Sequence, residues 1–569
     1  MSGRYDHLDR DALVRILERR DSERQLGLVW ERPEAEGGEL EADASVNADF
    51  VALELDPALS HGDAPWRDLI IEGDNHDALR YLRMTHAGRI RCIYIDPPYN
   101  TGNRDFVYND RFVDRSHRFR HSLWLEFMHR RLRLARELLA EDGVIFVSID
   151  DNELFRLGML MDQVFGSDSR LATLIWQTDG NFDNQAKIKV CHEYVLAYSR
   201  NPSAFPMPPV VDPNIGESSK LFRPTIRNTI VKNGPKNPVS DLVLPAGFPA
   251  DFECGRVPAR SNKWPHILTD IEVMNYRLMD SVTVRSGWAN RELCVEFCAK
   301  GFSPVMDSKG QETTFVLTAN GTIENVKVRD RPSHVVSILR NLGNTQSDGA
   351  MLADMGVGFS YPKPVTLMQY VISLLDDKQV TVLDFFAGSG TTAHAVAKLN
   401  AEDGGQRRYI LVSNTEATDD QPDKNLCRDV CAERVRRVLG GYTNAKGEPV
   451  AGLGGGFAYL RTRRVPRHRI NRRLGHVEIW HALCLIHGQP LQSWDGRGLV
   501  HAAVEAAADP LSYLPDLDDT TLAALQAWLA SLPRRAAVYC WTPERLAHID
   551  PALATVLPVP QSLAQRFGR

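Results

Sequence analysis

Five short apolar runs, each closing on an acidic residue, constrain this chain more than any other feature: 68–74 (DLIIEGD), 91–96 (RCIYID), 143–150 (GVIFVSID), 380–384 (VTVLD) and 408–416 (RYILVSNTE). Their length and β-branched content predict strands, and helical patterns lie between several of them. Parallel strands need crossover connections. The alternation therefore predicts an α/β fold with a doubly wound sheet, whose ligands bind beyond the carboxyl ends of the strands where the strand order reverses. Acids at those ends are candidate site residues. Between 203 and about 349 the pattern gives way to Pro-, Asn-, Ser- and Lys-rich sequence with short strands such as 314–317, which predicts an insertion. Behind Gly454-Gly455-Gly456 comes a basic stretch and then an α+β segment, with a helix over 520–532 and a strand over 537–541. The expected division is an N-terminal extension (1–60), a first half of the sheet (61–202), the insertion (203–350), a second half (351–456) and a C-terminal domain (457–569).

A chain of 569 residues is too long for one ordinary domain, and 43% apolar content suffices to bury real cores. No stretch approaches the ~20 apolar residues of a membrane helix, and the first residues are charged where a secretory signal would be apolar, so a cytoplasmic protein is expected. The nine cysteines form no C-x-x-C. The pairs Cys294/Cys298 and Cys427/Cys431 lie in helical surroundings without His at metal spacing, which predicts buried free thiols and no metal site. A net charge of -6 argues against attraction of the whole molecule to a polyanion, so nucleic-acid contacts would have to come from local basic clusters.

Two motifs carry chemistry. Asp96-Pro97-Pro98-Tyr99 follows the apolar run 93–95. Proline lacks an N–H and restricts the residue before it, so the strand cannot continue and the chain turns. The turn presents the Asp96 carboxylate and the Pro97 carbonyl as adjacent acceptors, with an aromatic ring beside them. Two acceptors can hold both hydrogens of an exocyclic amine and pull its nitrogen towards sp3, freeing the lone pair, while Tyr99 offers a stacking face. Stacking of a base on an aromatic ring is worth about 1 to 3 kcal/mol, comparable with the few kcal/mol needed to draw a base from a duplex. Pro-Pro alone reads as an ordinary strand-ending turn; the acid before it and the tyrosine after it favour chemistry.

The second motif runs from Asp384 through Phe385, Phe386, Ala387, Gly388, Ser389, Gly390 and Thr391 to Thr392, between a strand end and a helix opening at Ala393. Glycines let the backbone approach a ligand closely, and a helix start offers unpaired N–H groups to a carboxylate. Glu416 closes the next strand, a little beyond the ~20-residue spacing of the ribose-binding acid in a dinucleotide fold. A nicotinamide or flavin site wants a third glycine where this chain has Ala393, which that pattern sometimes permits. Only the pairing with Asp96-Pro97-Pro98-Tyr99 decides against it.

With both motifs in place the chain resembles the β-class amino-methyltransferases of DNA, and within them the modification subunits of type III restriction systems. The order, catalytic motif ahead of the insertion and cofactor loop behind it, is circularly permuted. Further matches are Ile71-Glu72-Gly73-Asp74-Asn75, Phe106-Val107-Tyr108-Asn109-Asp110, His192-Glu193-Tyr194-Val195-Leu196 and Tyr361-Pro362-Lys363-Pro364, over roughly 66–200 and 355–440. The resemblance implies a Rossmann-like, S-adenosylmethionine-dependent methyltransferase sheet with 203–350 as its target-recognition domain. It implies transfer of a methyl group to N6 of adenine in duplex DNA, by base flipping and direct in-line attack, in a restriction-modification or phage-defence system. Asp96, Pro97, Pro98 and Tyr99 would be catalytic. The cofactor would be bound by Phe386, Ala387, Gly388, Ser389, Gly390 and Thr391 together with Asp384, Asn100 and Pro364, with Lys363 near its carboxylate, Glu416 on its ribose and Asp74 near its adenine. The reaction needs no general base, so the His192-Glu193 pair is expected to be structural. The partners implied are double-stranded DNA, a second copy in a homodimer, and a separate restriction or helicase subunit, since the sequence has no G-x-x-x-x-G-K-[ST] loop.

In such enzymes the insertion recognises the target. Here Lys220, Arg223, Arg227, Lys232 and Lys236 run together with Asn228, Asn233 and Asn237, residue types suited to phosphates and base edges; the plain alternative is a solvated loop. A second basic run, 461–473 (RTRRVPRHRINRR), is expected either to track phosphates or to face solvent. The Arg-rich stretch 111–136 reads as an amphipathic helix with its charges facing water. An N4-cytosine or RNA amino-methyltransferase would use the same chemistry, although Asp at position 96 leans towards adenine. A noncatalytic DNA-specificity subunit is the third reading, and two intact motifs argue against it.

Overall fold

The computed structural model describes residues 49–102, 120–178, 187–216, 218–308, 310–328, 332–418, 421–502 and 510–568, the single residues 10 and 30, and the backbone alone of 107–108, 111–112 and 220. The chain divides into two compact units, 1–208 with 336–569, and 209–335.

The first unit is built on a ten-stranded sheet. In chain order its strands are β1 (Phe50–Leu55), β2 (Asp68–Glu72), β3 (Ile90–Ile95), β4 (Leu139–Ile149), β5 (Arg170–Gln177), β6 (His192–Ser199), β7 (Ile338–Leu339), β8 (Thr381–Asp384), β9 (Arg408–Ser413) and β10 (Phe457–Val465). Their spatial order is β1-β10-β2-β9-β8-β3-β4-β6-β5-β7. Every pairing from β10 across to β4 is parallel. The antiparallel pairings are β1 with β10 and β6 with both β4 and β5. Strands buried on both faces read as near-continuous apolar runs, and β3 (IRCIYI) and β9 (RYILVS) are buried except at Arg91 and Arg408. From β8 the chain goes to β9 on one side, and from β3 to β4 on the other. The strand order thus reverses between β8 and β3, where this doubly wound architecture opens its ligand crevice.

Leu69, Ile71, Ile93, Ile95, Ile145 and Val147 share one core with residues of the helices Asn75–His86, Arg120–Leu138, Leu154–Phe165 and His476–Ile486. The last of these helices belongs to the segment expected to form a separate C-terminal domain. That boundary needs correcting. β10 hydrogen bonds between β1 and β2, with Leu460 opposite both Leu55 and Ile71, and its residues Phe457 to Leu460 are buried in the sheet. Beyond it, Val500–His501, Leu511–Leu514, Ala536–Cys540 and Ala554–Pro558 form a four-stranded sheet with the helix Asp519–Ala530, the α+β arrangement read from the sequence.

The insertion is shorter than 203–350. β7 rejoins the main sheet, Ile338 and Leu339 pairing in parallel with Ile175 and Trp176, so the chain is back in the first unit before residue 350. The second unit carries two three-stranded sheets, a four-stranded sheet that includes Glu312–Leu317, and the helix Arg291–Ala299, around a core containing Leu244, Phe248, Val284, Phe297 and Phe315. The helix Arg120–Leu138 also departs from expectation, since Glu126, His129 and Arg131 are buried rather than solvated. The cysteines are free thiols, most of them buried. Among the described residues no helix is long and apolar enough to cross a membrane.

Gly73 links β2 to the helix Asn75–His86 at φ +149, and a Cβ placed there would collide with Thr462 of β10, whose own Cβ and Cγ2 lie 2.9 Å away. Overpacking of this kind costs about 1 to 3 kcal/mol. Gly73→Ala should lower unfolding stability by that amount in a urea titration; an unchanged midpoint would mean that β10 does not lie against β2.

Candidate active site

The end of β3 is held from two directions. Trp124, fully buried on the helix Arg120–Leu138, donates its indole N–H to the Pro98 carbonyl at 2.7 Å. Asn100, buried at φ 57, a left-handed conformation that asparagine tolerates, donates to Glu153 Oε1 at 2.5 Å. Glu153 is itself fully buried and also receives His121 Nδ1 and Arg156. The Asp96-Pro97-Pro98-Tyr99 turn is thus braced at its third residue and at the residue that follows it. Asn100, expected to bind cofactor, is used as an anchor.

At the turn, Asp96 keeps 27% of its side chain accessible, yet its Oδ1 is buried and accepts no hydrogen bond. Lys363 Nζ stands 3.4 Å from that oxygen. The same ammonium donates to Glu193 Oε2 and to the Tyr99 hydroxyl, each at 2.6 Å, and Tyr99 donates in turn to Glu193 Oε2 at 2.9 Å. Burial pushes the Asp96 carboxyl above its usual range, and Lys363 works against that rise. Burial also disfavours the Lys363 ammonium, but Asp96 and Glu193 together hold its pKa above the ordinary lysine value. Tyr99 is pushed well above its usual pKa by burial and then by the two carboxylates, so it is a neutral phenol. Lys363, expected at a cofactor carboxylate, is drawn here because two acids in a buried pocket attract its charge more strongly than solvent does. Glu193 was passed over because a His-Glu pair on a strand reads as structural. His192 does fit that description, bonding the Tyr194 hydroxyl at 2.7 Å. The signal for Glu193 in the sequence is an acid two residues ahead of the apolar stretch 195–197 on the same strand.

β8 passes into the glycine loop beside this turn. Asp384 Oδ1 accepts the Phe386 N–H at 3.0 Å and Oδ2 accepts the Thr392 hydroxyl at 2.6 Å. Burial raises its pKa to about 7, against the pull of those two donors. Arg434, fully buried on the helix Glu433–Gly440, donates to Ser389 Oγ at 2.9 Å and Thr391 Oγ1 at 2.7 Å. Asp384, Ser389 and Thr391, expected to face a ligand, therefore commit their side chains to holding the loop from within. Gly388 and Gly390 take φ +50 and +78, and a Cβ on Gly390 would come within 3.1 Å of the Cys431 carbonyl. A cavity of about 860 Å³ is lined by Phe359, Ser360, Glu416, Lys424, Asn425 and Leu426. Phe359 also flanks Gly388, whose Cβ position is 3.4 Å from its ring. Glu416 lies beyond the end of β9 rather than on it, ion-paired with Lys424 at 3.0 Å.

Asp74 caps the helix Asn75–His86 and pairs with Arg131 at 3.0 Å, while Asn75 donates to the Phe385 carbonyl at 2.8 Å. Arg131 lies 3.6 Å from the centroid of the Phe127 ring, and Phe127 packs on Phe386. Pro364 is the N-cap residue of the helix Val365–Ser373, directly behind Lys363. Phe106, Asn109 and Asp110 lie outside the described residues.

The expected DNA contacts separate into two groups. In the second unit Arg223, Lys232 and Lys236 are exposed, and the Lys220 side chain lies outside the described residues. Arg227 is instead held by Asp251 at 2.8 Å and Glu324 at 3.0 Å. The run 461–473 is similarly reduced: Arg461 pairs with Asp56 and Glu72, Arg463 with Glu478, and Arg464 with Asp77. Those arginines belong to β10 and neutralise acids of the sheet and its helices.

A family model described as DNA methylase, covering N6 and N4 methyltransferases, matches residues 90–416. The chain belongs to this family. The matched span opens on the first residue of β3 and closes on Glu416, so it contains both motifs and the insertion between them. The chain is similar to the Mod subunit of the type III restriction-modification enzyme StyLTI of Salmonella typhimurium, with 32% identity over 401 residues, 65% of this chain and 57% of that one. It is similar also to the EcoPI Mod subunit of Escherichia phage P1, with 32% identity over 388 residues, 62% of this chain and 58% of that one. The chain thus spans less than two thirds of the length of these relatives. Among solved structures, the PvuII DNA methyltransferase (cytosine-N4-specific) superposes with a TM-score of 0.30 and 12% identity, over 66% of this chain and 89% of that one.

Asp384 generates a pH prediction. A carboxyl whose pKa is raised by folding, from 3.8 to about 7, contributes stability that is present below the lower value and lost as pH rises through the higher one. Asp384→Asn mimics the protonated form. Between pH 6 and 8 the native chain should lose on the order of 1 kcal/mol relative to this variant, seen as converging and then crossing or widening melting curves. Parallel curves across that window would show that Asp384 does not titrate there.

Proposed function

We propose that this chain is a site-specific DNA methyltransferase that moves a methyl group from S-adenosylmethionine to N6 of adenine in double-stranded DNA. The observation that carries the reading is Asp96 Oδ1, a buried carboxylate oxygen without a hydrogen bond, at the switch point beside the glycine loop. A buried acceptor without a hydrogen bond is costly, and it is tolerated where a ligand brings the donor. An exocyclic amine brings two. Asp96 would take one hydrogen and the Pro97 carbonyl the other, localising the lone pair on nitrogen, while the Tyr99 ring stacks on the base. A base inside a duplex cannot reach such a pocket, so the target adenine is turned out of the helix.

The residues at the loop fit the cofactor. Gly388 and Gly390 admit close approach, Glu416 offers acceptors for ribose hydroxyls, and the cavity of about 860 Å³ falls in the usual range for a bound small molecule. S-Adenosylmethionine held there would supply a methyl group on a sulfonium centre. The chain's own contribution is to orient the amine, exclude water and fix the acceptors in advance, with no covalent enzyme intermediate. Arg223, Lys232 and Lys236 of the second unit would contact DNA phosphates, and the similarity to Mod subunits supports a modification role beside a separate restriction subunit, with two copies of this chain forming a homodimer.

Long-read sequencing that detects modified bases, on DNA from a methylation-free host expressing this chain, should find N6-methyladenine at one recurring motif and none with Asp96→Ala. N4-methylcytosine would move the substrate to cytosine, and unmodified DNA from the unvaried chain would overturn the reading. Gly388→Val, which puts a β-branched residue at φ +50 against Phe359, should weaken S-adenosylmethionine binding at least about tenfold by calorimetry. Unaltered affinity would remove the loop from the cofactor site.

A further inference from the structure

The cation of the amine pocket is held by the acid that does no chemistry. Lys363 Nζ is 2.6 Å from Glu193 Oε2 but 3.4 Å from Asp96 Oδ1, although that oxygen is buried and accepts no hydrogen bond. An ammonium has three donors, and a bond to an adjacent carboxylate normally closes to about 2.7–2.9 Å. Two features resist that closure. Lys363 lies between Pro362 and Pro364, and the residue before a proline is restricted to extended conformations. Glu193 is fixed on β6 opposite Trp176 and is shared by the Lys363 ammonium and the Tyr99 hydroxyl. Asp96 thereby gains a neighbouring positive charge while its acceptor stays open. A target amine is held best when both conditions are met together, because a protonated Asp96 is a weaker acceptor and a lysine bonded to Oδ1 would compete with the amine for it.

We propose that Glu193 is a positioning residue for methyl transfer, which keeps the Lys363 ammonium beside the Asp96 carboxylate but off it, so that the acid stays charged and Oδ1 stays open to the amino N–H of the base. The proposal rests on the methyltransferase reading above. Lys363 is the counter-ion and Glu193 its restraint. Besides these two, the titratable groups facing Asp96 among the described residues are Tyr99, Tyr94 and Asp384; the tyrosines are held well above their usual range by burial, and Asp384 is common to every variant below.

The test is a double-mutant cycle with a structural arm. In crystals of Glu193→Gln at neutral pH, Lys363 Nζ should close on Asp96 Oδ1 to under about 3.0 Å, the ordinary range of a charge-assisted bond. The same variant should lose about 10- to 100-fold in kcat at unaltered S-adenosylmethionine affinity. Lys363→Met should move the acid limb of the kcat profile upward by about one pH unit, and adding Glu193→Gln to it should cause no further loss, since no cation is left to restrain. An Nζ–Oδ1 distance that stays near 3.4 Å, or losses that simply add, would overturn the proposal. If the unvaried chain transfers no methyl group, the methyltransferase reading falls by itself, and the distance in the Glu193→Gln crystals still decides whether Glu193 restrains Lys363.

Discussion

The parallel hydrogen bonding of β3 to β8 is the constraint on which the rest depends. Val382 and Leu383 lie opposite Cys92 and Ile93, so two stretches far apart in the chain end at the same edge of the sheet. One delivers Asp96 and the other the glycine loop. Neither motif could act alone: an amine pocket without a neighbouring donor of the methyl group, or a cofactor loop without acceptors for the amine, has no reaction to perform. The circular permutation seen in the motif order is harmless for this reason, because strand adjacency, and not chain order, brings the two halves together.

What the sequence revealed follows from how local each signal is. Asp96 was legible because two prolines stop a strand wherever they occur, and the glycine loop because a strand, two glycines and a helix start lie within a dozen residues. Glu193, Glu153 and Arg434 were not, since each acquires its role from partners on other elements: Glu193 from Lys363, Glu153 from Asn100 and His121, Arg434 from Ser389 and Thr391. Lys363 was singled out by its motif, but its contacts with Glu193 and Asp96 were not legible, because nothing local says which nearby anions a flexible side chain meets. β10 was hidden differently. Its arginines make it look like a solvated basic tail, while Asp56, Glu72, Asp77 and Glu478, which neutralise them, are scattered along the chain.

The same contacts show how the crevice is stiffened. Around both motifs the inner support is polar: Glu153 beneath Asn100, Arg434 beneath Ser389 and Thr391, Asp384 tied to Thr392, Arg131 between Asp74 and Asn75. Such groups are expensive to bury and contribute little net stability, but directional bonds fix a loop in one geometry where apolar packing would allow several. For a site whose acceptors have to be in place before the substrate arrives, that rigidity is worth more than the stability it forgoes.

β10 has a consequence for biosynthesis. Among the described residues β1 has β10 as its sole neighbour in the sheet, and β10 is the last of the ten strands in the chain. At a synthesis rate of about 5–20 residues per second, the ribosome needs tens of seconds to travel from one to the other. Through that interval the nascent chain carries a strand, FVALEL, with both edges bare, and a β2 that lacks one flank. The sheet can crystallise outward from β3 and β8 as soon as both exist, yet it is sealed only when residue 465 leaves the exit tunnel. That interval opens before β3 and β8 are made and closes only after both are, so the outer flank of the sheet is the last part to be completed.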